Sequence, residues 1–216
     1  MKLIIIPIVP ILLVTCYSSM AQEAWSLKKD KDGIKVFSRS SDSSKFDEVR
    51  AEFDMQASLS DMVAVMMDVD HHVDWVYGTK SSSLLKKVND SDLYFYTEME
   101  IPWPLSNRDL AVHLSFSQQP QSKVVTIVAV SVPHYIPEKK SIVRVPFSSA
   151  VWTITPIGHD SIHVAYHVQV DPGGAIPAWL FNMFVSKSPY ESFEGLRSRA
   201  REERYRLANV SFISNR

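Results

Sequence analysis

From about residue 81 to residue 170 the chain is a succession of segments in which apolar and polar residues alternate, joined by short turns or loops without a crossover helix. Nothing else in the sequence restricts the fold as much. Strands joined this way pair antiparallel. Side chains that alternate with a period of two give the sheet one apolar face, and some other element must cover it. In the segment 93–101, Leu93, Phe95, Thr97 and Met99 face one way while Tyr94, Tyr96, Glu98 and Glu100 face the other. Leu110, Val112, Leu114 and Phe116 mark the inward face of the next strand. Further strands are expected over 82–88, 124–132, 150–157 and 162–170, with a loop over 133–141 and a turn at Gly158-His159-Asp160.

The first part of the chain adds strands and two small helices. Residues 25–29 are expected as a short amphipathic turn or helix. Asp32-Gly33 then turns the chain into a strand over 34–38, followed by a polar hairpin loop over 40–45. Val49, Ala51, Phe53 and Met55 alternate with Glu48, Arg50, Glu52 and Asp54, a half-buried strand. Ser58 or Ser60 caps a helix whose apolar residues Leu59, Met62, Val63, Met66 and Met67 recur at helical spacing. A second short helix is expected over 70–75, before a turn at Gly78. Pro102-Trp103-Pro104-Leu105-Ser106 cannot continue a ladder and forms a stiff loop that exposes its tryptophan. Helices at the ends of a strand series, rather than between strands, give an α+β domain.

The cover for the sheet lies in the last quarter. Asp171-Pro172-Gly173-Gly174 ends the final strand, and an aromatic-rich run follows from Ile176 to Phe184. Ser188-Pro189-Tyr190-Glu191 reads as a capping box with proline at the first helical position. The expectation is therefore a short helix over 177–186, a break near 187–188 and a longer helix to about 207. In the longer piece Phe193, Leu196, Ala200 and Leu207 form one apolar stripe with the arginines pointing outward. The first piece carries Trp179, Leu180, Met183 and Phe184 and is placed to close any space beneath it.

Lys2, the apolar run 3–14 and Ser19-Met20-Ala21 read as a secretory signal peptide cleaved before Gln22, too short to span a bilayer. Lipoprotein processing at Cys16 is the second reading. Residues 22–216 then form one domain, exported to the periplasm or secreted. The single cysteine is Cys16, so no disulfide framework staples the mature chain and its stability rests on a packed core. Without Lys2 the charge is 22 basic against 24 acidic residues, net −2, a balance that does not suggest nucleic acid.

Tests for chemistry find little. The six glycines form neither a phosphate loop nor a dinucleotide fingerprint, and there is no Gly-x-Ser-x-Gly elbow. His159, His163 and His167 are spaced by four, but on a strand that spacing covers roughly 13 Å, too far to share one ion. His71, His72 and Asp74 read as a helix end. No carboxylate pair stands on an inward strand face. Arg108 and Arg144 are either halves of structural ion pairs or contacts to a ligand headgroup. No metal or cofactor is expected.

Several motifs, in order, resemble those of the START domains, the lipid-binding module related to steroidogenic acute regulatory protein. They are Asp32-Gly33-Ile34-x-Val36, Pro104-x-x-Asn107-Arg108-Asp109, Trp152-x-Ile154-x-Pro156, and Tyr166 followed by Asp171-Pro172-Gly173-Gly174-x-Ile176-Pro177-x-Trp179-Leu180-x-Asn182. The resemblance covers nearly all of the mature chain and implies a helix-grip fold. That fold is a curved antiparallel β-sheet wrapped around a long C-terminal helix, with an internal apolar cavity for one lipid. It implies binding and transfer of a lipid or similar apolar molecule by a monomer, without chemistry and with transient membrane contact. Phe95, Leu114, Trp152, Tyr166, Met183 and Phe184 are then cavity candidates. Arg108 or Arg144 sits near a polar end, and Trp103 and Trp179 at the lid. Sterol-binding members carry a charged pair on two cavity strands, and counting from Arg108-Asp109 those positions fall near Phe95 and Leu114, which speaks against cholesterol. The alternative is a helix-grip enzyme of the polyketide cyclase or dehydratase type, which needs polar groups converging in the cavity.

Overall fold

The computed structural model describes residues 24–41, 44–206 and 208–215, with the side chains of 183–187 outside that description. The expected leader over 1–21 and Cys16 fall outside it as well. The elements are β1 (Ser26–Lys31), β2 (Ile34–Ser41), β3 (Ser44–Gln56), α1 (Leu59–Met67), a 3-10 helix (Val69–Asp74), β4 (Thr79–Asn89), β5 (Asp92–Met99), β6 (Arg108–Gln118), β7 (Val125–Ser131), β8 (Val143–Arg144), β9 (Phe147–Pro156), β10 (Ser161–Asp171) and α2 (Ala178–Arg199). The sheet order is β1-β2-β3-β10-β9-β7-β6-β5-β4, so the N-terminal hairpin joins the rest through β3 and β10. Every pairing is antiparallel except that of the two-residue β8, which lies parallel to β6.

The alternation read from the sequence sets which face is buried. Val49, Ala51, Phe53 and Met55 of β3 all enter the core, as do Leu93 and Phe95 of β5 and Val112, Leu114 and Phe116 of β6. Ser58 caps α1: its hydroxyl accepts from the Asp61 amide at 3.1 Å, and the Asp61 carboxylate accepts from the Ser58 amide at 3.0 Å. The outer face carries the histidines. His163 pairs with Asp54 at 2.6 Å and His167 with Glu48 at 3.1 Å across the β3–β10 ladder.

Three expectations are corrected. Residues 25–29 are not helical: from Ser26 the chain is the edge strand β1, because a ladder to β2 satisfies its backbone and outweighs a weak local preference. Lys29 and Lys31 of β1 lie over the Tyr190 ring, with Lys29 at 3.5 Å. The C-terminal region has no break near 187–188. It is one helix with Pro189 inside it, although an interior proline costs about 3 kcal/mol. Tertiary contacts on both sides of the proline outweigh that cost. Phe181 meets Phe46 edge-on at 4.9 Å on one side, and Tyr190, Phe193 and Leu196 are buried on the other. Ser188 does not cap; its carbonyl accepts from the Ser192 hydroxyl at 2.9 Å.

The third correction concerns the end of α2. It stops at Arg199 rather than near 207, and turns follow. They bury Tyr205, whose hydroxyl donates to Asp68 at 2.7 Å. Leu207 lies outside the described residues. The arginines do not simply face solvent. Arg197 donates to the carbonyls of Asp32 at 2.7 Å and Asp54 at 2.9 Å, and Arg199 pairs with Asp74 and Glu202. At Gly195 an added Cβ would stand 2.8 Å from the Trp75 carbonyl, so glycine lets α2 meet the end of the 3-10 helix backbone to side.

Candidate functional site

Cross-strand register stacks the inward side chains in tiers. Leu114, Ala129, Ala150 and Val168 form one tier; Phe116, Ile127, Trp152 and Tyr166 form another, and Val125, Ile154 and Val164 the one beyond it. The last tier is fully buried. Nearer the β10–α2 turn the packing is looser. Leu110, Ala129, Trp152, Tyr166 and Val170 share the inward face yet are only partly buried. The reason is topological: α2 packs chiefly on β2 and β3 and leaves the inner face of β6, β7 and β9 less covered. This least-covered, apolar stretch of the inner face is the candidate site.

Aromatic rings set its deep end. Trp152 and Tyr166 lie 4.9 Å apart, and Tyr166 meets Phe193 of α2 edge-on at 5.2 Å. Burial raises the Tyr166 pKa above its usual value, so the phenol stays neutral. The Trp152 indole N–H is buried without a partner among the described residues. Phe95 and Leu114 are both buried, and Phe95 stands edge-on to His72 at 5.3 Å. At these two positions the wall is thus apolar. The side chains of Met183 and Phe184 lie outside the described residues.

The two candidate arginines part company. Asp109 and Arg108 are neighbours on β6, so they point to opposite faces. Asp109 has no exposed surface and faces outward, where β8 sets Arg144 beside it. Arg144 Nε reaches Asp109 Oδ1 at 2.7 Å and Nη2 reaches Oδ2 at 3.1 Å, a two-pronged pair. Its remaining donors go to the carbonyls of Pro133, Ile136 and Pro137. The Asp109 carboxylate holds the Arg144 guanidinium above its usual pKa. This pair pins the 133–142 loop to the outside of the sheet, away from the inner face.

Arg108 shares the inward parity of Leu110, Val112 and Leu114 and is 5% exposed. Its Nη1 donates to the Ser106 carbonyl at 2.5 Å and its Nη2 to the Gly173 carbonyl at 3.5 Å. Nε is buried without a partner, and no carboxylate among the described residues pairs with this guanidinium. Burial lowers its pKa. The Asp171–Gly174 turn beside it depends on glycine. Gly173 has φ +66°, and a Cβ there would fall 2.9 Å from Pro146 Cδ and 3.0 Å from the Arg144 carbonyl.

The rim is made of loop 102–106 and the first turn of α2. Trp103 is 91% exposed and Trp179 is 71% exposed, so neither indole packs on the inner face. The helix start is anchored by a residue whose role the sequence did not show. Asn182 Nδ2 donates to Asp47 Oδ1 at 2.9 Å while its Oδ1 accepts from the Asp47 amide at 3.2 Å. Ser38 adds a hydrogen bond to the same carboxylate at 3.3 Å. The strand parity of Asp47, two residues before Val49, was the available signal.

A family model for the START domain matches residues 18–206. The chain belongs to the START family. A STAR-related lipid transfer protein fragment from Xanthomonas axonopodis is 36% identical and superposes with a TM-score of 0.77, covering 83% of this chain and 100% of that one. An uncharacterized protein of Pseudomonas aeruginosa is 35% identical over 82% of this chain and 87% of its own length. The phosphatidylcholine transfer protein of Rattus norvegicus is 28% identical over 78% of this chain and 79% of its own. The START architecture of a curved sheet gripping a C-terminal helix is thus the fold of this protein.

Proposed function

We propose that the protein is an exported lipid carrier that holds one lipid between the sheet and α2. The observation that carries the reading is the inward-facing set Leu110, Ala129, Trp152, Tyr166 and Val170, apolar in its packing surface yet only partly buried. Burying an acyl chain there is favourable by about 25 cal/mol per Å² and needs few polar contacts. The similarity to lipid transfer proteins supports it. Trp103 and Trp179 stand on the rim with most of their surface exposed, where indoles suit a membrane interface. They make transient contact with the bilayer while a lipid passes. Mass spectrometry of lipids released from gently purified protein tests the reading. A stoichiometric lipid is expected; protein that neither retains lipid nor extracts it from vesicles overturns it.

A further inference from the structure

A guanidinium taken out of water without a countercharge is costly unless something compensates it. Arg108 is in that position. Three of its five N–H groups are left over when the carbonyls of Ser106 and Gly173 have each taken one, and Nε is among them. The neighbouring Arg144 shows what saturation looks like in the same fold, with a carboxylate and three carbonyls around one guanidinium. One segment that holds Arg108 is the rim loop 102–106 and the other is the Asp171–Gly174 turn that leads into α2, so the cation stands at the rim end of the inner face.

The wall behind it is long and apolar. Phe116 lies eight residues beyond Arg108 on β6, on the order of 26 Å at about 3.3 Å per residue. Register places Trp152 and Tyr166 at that same depth. The inward positions between, Leu110, Val112 and Leu114, carry no charge. A molecule that matches this layout has one anionic group at the end of a long hydrocarbon.

Resting on the carrier reading above, we infer that the protein selects lipids with an anionic head, a phosphate or carboxylate, held by the Arg108 guanidinium with the acyl chain against the partly buried inward residues Leu110, Val170, Ala129, Trp152 and Tyr166. A guanidinium presents parallel N–H groups that match two oxygens of either anion. The head supplies the countercharge that the protein does not.

The test uses the full chain and phosphatidylcholine vesicles containing equal traces of dioleoyl phosphatidic acid, oleic acid and dioleoylglycerol. Lipid carried off by the re-isolated protein is counted by mass spectrometry. Wild type is expected to take phosphatidic acid or oleate over dioleoylglycerol by about tenfold or more, the value of a hydrogen-bonded charge. Which of the two is taken separates phosphate from carboxylate. R108M is expected to extract both classes alike, and R108K to keep part of the preference. Equal extraction by wild type overturns the inference, as does R108M with an unchanged preference, which would make Arg108 a strut between the two rim segments. Should R108M fail to fold, the wild-type ratio decides alone. Extraction of no lipid at all overturns the carrier reading and not merely the headgroup.

Discussion

Arg108 and Arg144 are both buried, and both lie at the same end of β6, yet they do opposite things. Arg144 lies on the outer face, meets Asp109 through two bonds and ties down a loop. Arg108 faces inward and, among the described residues, has only carbonyl partners. A buried charge with a complete shell is part of the scaffold. One with an incomplete shell marks the place where something else can bind. The difference comes from strand parity: adjacent residues on β6 look out on different surroundings.

The comparison can be broken from the scaffold side first. D109N removes the countercharge of Arg144 and should destabilise by about 3–5 kcal/mol in denaturant unfolding, because it strands a buried cation. A loss below about 1 kcal/mol would mean that Arg144 is no more saturated than Arg108. A second buried titratable group gives the next largest effect. Burial holds His72 neutral, with its pKa down from 6.5 to about 4. The unfolded chain takes up a proton below pH 6.5 that the folded one refuses, so the contribution is full above 6.5 and is lost as pH falls toward 4. That is about 3 kcal/mol, read from melts across the range and flattened in H72Q.

The inner face should behave differently. R108M removes a cation that has no carboxylate to strand, so its stability should stay within about 1 kcal/mol of wild type; a loss near that of D109N would put Arg108 in the scaffold class. Y166F is the smallest change expected, within about 0.5 kcal/mol, since the hydroxyl has no hydrogen-bond partner among the described residues. A clear stability loss in Y166F would show that the deep end is packed core rather than ligand wall.

Much of the wall was legible before any coordinates. Alternation gave the inward faces of β3, β5, β6 and β10, because period two follows from strand geometry alone. It also put the histidines of β10 on the outer face, where their acidic partners sit. α1 and the short helix after it were readable for the same local reason, and the structure chose Ser58 over Ser60 as the cap of α1. The errors cluster where tertiary contacts outweigh a local signal. Ser188-Pro189-Tyr190-Glu191 has the chemistry of a helix start, but packing on both sides of Pro189 carries α2 straight through it. The same held for residues 26–29, which the β2 ladder takes up as a strand.

The sequence by itself determined the antiparallel sheet, its apolar inner face and the need for a C-terminal cover, since these depend on periodicity and on turns too short for a crossover. It also narrowed the charged candidates near the sheet to Arg108 and Arg144. Only the tertiary structure decided between them. Which of two buried arginines finds a carboxylate depends on β8 lying parallel beside β6 and on the 133–142 loop folding back over the outer face. That is a matter of long-range register, and no local pattern of residues encodes it.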